Sequence, residues 1–132
     1  MRTFVLDTCA LLPIMRRVKE LTRLGRAIIE MAQDYQAELV VPTMALVEAE
    51  LDIRRAEKKT GLSFADFMAA IMEADYMRIE PLGTEQVLLM PKLLGIPEMH
   101  DRIIVAHAVS NDAPLMTRDQ VIRDSGLVET VW

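Results

Sequence analysis

Five short apolar segments alternate along this chain with longer stretches of helical period, and that alternation limits it to few architectures. "TFVL" at 3–6, "ELVV" at 38–41, "MRIEPL" at 77–82, "APLMT" at 113–117 and "LVETVW" at 127–132 read as strands. Apolar positions 21, 24, 28, 31, 32 and 35 recur at helical spacing and predict a helix over roughly 16–37. Pro42 suits the first turn of a second helix, running to about residue 58. A third follows Ser63, a good N-cap. Residues 84–94 read as helical with Pro91 as a kink or boundary. "HDRIIVAHAVSN" is a further helix, and "DQVIRDSG" is a helical turn ended by Gly126. Strands alternating with helices imply one α/β domain over 1–132 with a mainly parallel central sheet flanked by helices.

A sheet of this kind binds ligands outside the carboxyl ends of its strands. Asp7 closes the first strand inside the apolar stretch "FVLDTCALL", and Asp119 follows "APLMT". An unpaired buried carboxylate is strongly unfavourable, so Asp7 needs water, a partner or a cation. On a helical wheel Met44, Val47, Leu51 and Arg55 share one inward stripe containing Glu48, whereas Glu50 points to the opposite side and Asp52 to the margin. Asp101 shares a stripe with Ile104, Val105 and Ala108. Each acid alone has an ordinary explanation: Glu48 as a snorkelling side chain, Asp101 as a first-turn acid favoured by the dipole, Asp119 as a cap. Together, four acids facing one edge repel one another unless a cation gathers them. Carboxylate oxygens with several retained waters suit Mg²⁺ or Mn²⁺.

At this point the residues resemble a family. "VLDTCALL", "VPTMALVEAEL", "MHDRIIVAHAV" and "APLMTRDQVI" are similar, in order and spacing, to the motifs of PIN-domain nucleases, especially the VapC-like toxins of toxin–antitoxin pairs. The resemblance implies that Asp7, Glu48, Asp101 and Asp119 form the acidic metal-binding and catalytic set, with Thr8 and Thr117 as supporting hydroxyls. It implies a PIN-like fold and a metal-dependent endoribonuclease, with RNA as substrate, an antitoxin over the groove and a homodimer. The last motif, "TRD", offers one acid where some relatives carry two, which leaves one or two ions open. Arg102 stands beside Asp101 and faces either substrate phosphate or a neighbouring acid.

A net charge of −5 disfavours a strongly basic nucleic-acid binder, so phosphate affinity has to come from the metal and from local cations. Arg16, Lys19, Arg23 and Arg26 fall on one face of the expected first helix, opposite Leu21, Leu24, Ile28 and Met31, and form a candidate substrate rim or an ordinary solvated face. Arg54, Arg55, Lys58 and Lys59 close the next helix and complement its dipole.

His100 and His107 are seven apart, about 10.5 Å along a helix, too far to share an ion, and read as structural or peripheral. Cys9, the single cysteine, has no basic partner to make it a nucleophile and cannot form an internal disulfide. With no long apolar run or signal region, a cytoplasmic protein without a membrane span is expected.

Other classes fit less well. A phosphotransfer receiver domain calls for an early acidic pair and a strand-end Lys. A haloacid-dehalogenase-like phosphatase calls for an acid where Cys9 stands, and no glycine-rich phosphate loop is present. Two alternatives stay open: a PIN-like module that binds without cutting, and a free-standing RNA-processing nuclease.

Overall fold

The computed structural model describes residues 1–132. Five strands, β1 (Arg2–Leu6), β2 (Ala37–Pro42), β3 (Met77–Glu80), β4 (Leu115–Met116) and β5 (Thr130–Val131), form one sheet in the order β3-β2-β1-β4-β5. Every pairing is parallel. The central strands are covered on both faces, which is why "FVL" and "LVV" are continuously apolar rather than alternating. Seven α-helices flank the sheet: α1 (Thr8–Arg16), α2 (Arg23–Gln33), α3 (Thr43–Thr60), α4 (Phe64–Glu73), α5 (Thr84–Leu89), α6 (Met99–Ser110) and α7 (Gln120–Ser125). None is long and apolar enough to cross a membrane.

The N-terminal third departs from the sequence reading. The apolar period predicts one helix over roughly 16–37; the chain instead forms α1, a 3₁₀ turn at Val18–Glu20, and α2. Asp7 caps α1, and the helix ends where Arg17 leaves helical dihedrals. Thr22 then opens α2, its hydroxyl accepting the Gly25 N–H at 3.3 Å. Capping chemistry at Asp7 and Thr22 outweighed the apolar period that bridged the gap. Leu24, assigned to the apolar stripe, is 55% exposed, while Gly25, Ile28, Ile29 and Ala32 face inward. Gly25 sits against the Trp132 backbone, where an added Cβ would stand 2.9 Å from its carbonyl carbon.

Elsewhere the expected elements form. Ser63 caps α4 with its hydroxyl on the Asp66 N–H, and Pro91 marks the change from α5 to a 3₁₀ turn at Met90–Leu93. His107 is structural, as read: fully buried on α6, with Nδ1 2.6 Å from Oε1 of Glu80.

The strand order places a topological switch between β1 and β4. The chain leaves β1 toward β2 on one side and leaves β4 toward β5 on the other. The connections therefore part above the ends of these two strands and leave a crevice there.

Candidate active site

Asp7, Thr8, Glu48, Asp101 and Asp119 all line one groove of about 710 Å³ over that crevice. Each arrives by a different route. Asp7 follows β1 and caps α1, Asp119 follows β4 and caps α7, Asp101 lies in the first turn of α6, and Glu48 is in the second turn of α3. The N-termini of α1 and α6 thus direct partial positive charge toward the acids.

Asp7 is the most buried of the set at 6% exposure. Its Oδ1 accepts the Thr8 N–H at 2.8 Å, and its Oδ2 accepts the Thr117 hydroxyl at 2.7 Å. Thr117, fully buried, also accepts the Asp119 N–H at 3.0 Å, so one hydroxyl fixes the acids that follow β1 and β4. Thr8 donates its hydroxyl to Oε1 of Glu48 at 2.9 Å and ties α1 to α3. Asp119 accepts the Ile122 N–H on Oδ1. The Asp101 carboxylate has no protein donor; its own N–H goes to Glu98 at 2.8 Å. Replacing Thr117 by Val keeps the shape but removes the hydroxyl donor to Oδ2 of Asp7 and the acceptor of the Asp119 N–H. Urea denaturation of Thr117→Val is expected to show a loss of about 1–3 kcal/mol.

The electrostatics are those of acids crowded without countercharge. None of the four forms an ion pair with Lys or Arg. Burial raises the Asp7 pKa, with the charge of Asp119 adding to it against the hydrogen bonds from Thr117 and Thr8. Burial likewise raises Glu48, with Asp7 adding to it. Asp101 is pushed up to about 6, first by burial and then by the charges of Asp7, Glu98, Asp119 and Glu48. Cys9 is pushed up to about 11, first by burial and then by Asp7, so it is a neutral thiol and no nucleophile.

No three His, Cys, Asp or Glu side chains close into a preformed cage. Mg²⁺ does not require one, since it keeps several waters and binds through one or two carboxylates. The donors fit such an ion: they are all oxygen, two are held by hydroxyls, and all lack a basic partner.

Several residues lie elsewhere than expected. Arg102 does not line the groove and pairs with no acid; its Nε and Nη2 donate to the carbonyls of Ile96 and Pro97 at 2.7 and 3.0 Å. Arg16, Lys19, Arg23 and Arg26 do not share a helix face, since they are divided among α1, the 3₁₀ turn and α2.

The stripe of Met44, Val47 and Leu51, inward on the helical wheel, lines the groove rather than the core, and Val47 is 63% exposed. The buried side of α3 is Ala45, Leu46, Ala49 and Ile53. Glu48 reaches the site because its stripe faces the groove rather than the core. Glu50, assigned to the solvent side, also lines the groove, paired with Arg54 at 2.8 Å.

His100, set aside as structural or peripheral, stands in the groove wall with Nδ1 2.7 Å from Glu98. Glu98 caps α6 by accepting the Asp101 N–H, and no local signal marks it in the sequence, because glutamate is not among the residues favoured at that position.

No curated protein matches the chain. Its fold is similar to several solved structures. VapBC2 from Rickettsia felis, bound to a promoter DNA fragment, superposes with a TM-score of 0.72 at 13% identity, covering 97% of this chain and 96% of that one. DNA-bound VapBC from Salmonella typhimurium gives 0.65 at 16% identity, covering 98% and 97%. A toxin–antitoxin complex from Klebsiella pneumoniae gives 0.61 at 14% identity, covering 97% and 95%. At such identities the likeness is one of fold. The sequence itself matches the PIN domain family model over residues 4–126, from within β1 to the glycine that ends α7, and the chain belongs to that family.

Proposed function

We propose that this protein is a divalent-metal-dependent endoribonuclease acting as the toxin of a toxin–antitoxin pair. The observation that carries the reading is the convergence of Asp7, Glu48, Asp101 and Asp119 on one groove without a single Lys or Arg partner. Membership in a nuclease family supports hydrolysis of a phosphodiester. The toxin assignment is supported by the toxin–antitoxin complex among the similar folds. RNA as the substrate, and an antitoxin covering the groove of a homodimer, follow from the motif resemblance.

Asp7 and Asp101 are the direct ligands of Mg²⁺ or Mn²⁺ in this reading. When bound, the ion supplies Lewis-acid activation of water and neutralises phosphate charge. The chain's own residues supply orientation. Thr117 and the Thr8 N–H hold both oxygens of Asp7, and Thr8 holds Oε1 of Glu48. Oε2 of Glu48 and Oδ2 of Asp119 are left without a protein donor, so each is able to take a proton from an attacking water.

The test is cleavage of a mixed panel of tRNA and structured RNA by antitoxin-free protein in Mg²⁺, Mn²⁺ or EDTA. Metal-dependent cleavage, absent in EDTA, is the expected result. RNA binding with no cleavage under any condition would overturn it in favour of a non-catalytic module.

A further inference from the structure

A second recess, of about 560 Å³, opens between the end of α1 and the last turns of α3. Its floor is aliphatic, from Leu12, Ile53 and Leu62, and its cationic wall is Arg16, Arg17 and Lys59. Asp52 lines both this recess and the acidic groove, so the two are neighbours with that residue at their border. Glu48, Asp52 and Lys59 follow one another along α3, and the eleven steps from Glu48 to Lys59 rise about 16 Å along the axis. Arg16 donates to the Thr60 carbonyl at 3.3 Å, which fastens the end of α1 beside the end of α3. Lys59 forms no ion pair, and Arg17 holds only Glu20 in an exposed contact of the kind worth little.

The geometry points to this recess as the binding subsite for the single-stranded RNA that flanks the scissile phosphodiester. The inference rests on the nuclease reading above and gives it a direction: the strand leaves the acids, passes Asp52 and lays its phosphates on Arg16, Arg17 and Lys59. An anionic strand held in an acid-lined groove needs cations where it leaves, and these three are the ones in the adjoining recess. The aliphatic floor gives a splayed base or ribose an apolar surface. This rim replaces the one expected from Arg16, Lys19, Arg23 and Arg26, of which only Arg16 lines the recess.

The test titrates salt against the affinity of a short fluorescent random-sequence single-stranded RNA at fixed Mg²⁺, on Asp101→Asn protein so that the probe survives. For single strands each phosphate contact contributes about 0.7 to the slope of log affinity against log salt. Arg17→Gln with Lys59→Gln, both at exposed positions, is expected to flatten the slope by about 1.4. Arg23→Gln with Arg26→Gln on α2 is expected to leave it unchanged. An unchanged slope in the recess variant, or a loss carried by the α2 pair instead, overturns the proposal. So does a recess variant that loses affinity for an acidic peptide but not for RNA.

Cleavage by protein with Asp101 intact reads the nuclease proposal separately. Cleavage with an unchanged slope sinks only the recess. A flattened slope without cleavage sinks the nuclease reading and leaves the recess as an RNA site.

Discussion

Asp101→Asn is expected to leave the fold intact and lower metal-dependent RNA cleavage by more than about 100-fold. The benchmark is physical: losing a group that only supports a metal ligand costs roughly 10- to 100-fold, so loss of a direct ligand should exceed that. Asp101 is the cleanest place to ask. Its carboxylate accepts no hydrogen bond from the protein, so the amide leaves no donor unpaired. Its backbone N–H still reaches Glu98, and the start of α6 is preserved. Asp7→Asn is expected to be equally inactive, but there the amide must also accommodate the Thr8 N–H and the Thr117 hydroxyl. Single-turnover cleavage with circular dichroism of each variant checks both halves. A folded Asp101→Asn protein retaining more than a tenth of wild-type activity would sink the assignment.

The second large effect is on stability. Asp101 holds its proton more tightly folded than unfolded, since its pKa is raised from 3.8 to about 6 by burial and by Asp7, Glu98, Asp119 and Glu48. The metal-free fold is therefore favoured at the acid end of that interval and loses this contribution as pH rises through about 6. Asp7 and Glu48 are shifted in the same direction and add the same sign. In EDTA, thermal unfolding should thus show a higher Tm near pH 5 than near pH 7, and Asp101→Asn should flatten that difference. At pH 7 a saturating divalent ion is expected to remove the repulsion. At a hundred times its Kd it adds about 2.7 kcal/mol, or roughly 10 °C for a chain of this size. Mn²⁺ that raises the Tm of Asp7→Asn as much as that of the intact protein would show binding elsewhere.

Much of this architecture was legible because apolar period and caps are local signals. The strands and the helices from α3 onward follow from runs of apolar residues and from Pro42, Ser63 and Gly126. The failure at 16–37 is equally local in origin. An apolar residue falls near enough to helical period across Val18–Leu21 to suggest continuity, and only the competing caps at Asp7 and Thr22 decide that two helices form. The stripe on α3 failed for a different reason. Met44, Val47 and Leu51 are apolar, and apolarity does not say whether a face meets the core or the wall of a groove. Arg102 could not be placed either, because its partners are backbone carbonyls at Ile96 and Pro97, and any residue supplies a carbonyl.

What the sequence determined by itself was the class of fold and the identity of four acids, since strand ends and helix faces are written in local period. What only the tertiary structure decided was their company. Thr117 reaches Asp7 across 110 positions and Thr8 reaches Glu48 across 40, and Lys59 shares a recess with Arg16 and Arg17 only where α1 and α3 end together. Such meetings depend on the order in which parallel strands assemble, β3-β2-β1-β4-β5, and that order parts the chain above β1 and β4. Periodicity fixes which way a side chain points from its own element; the sheet order fixes what it then finds there.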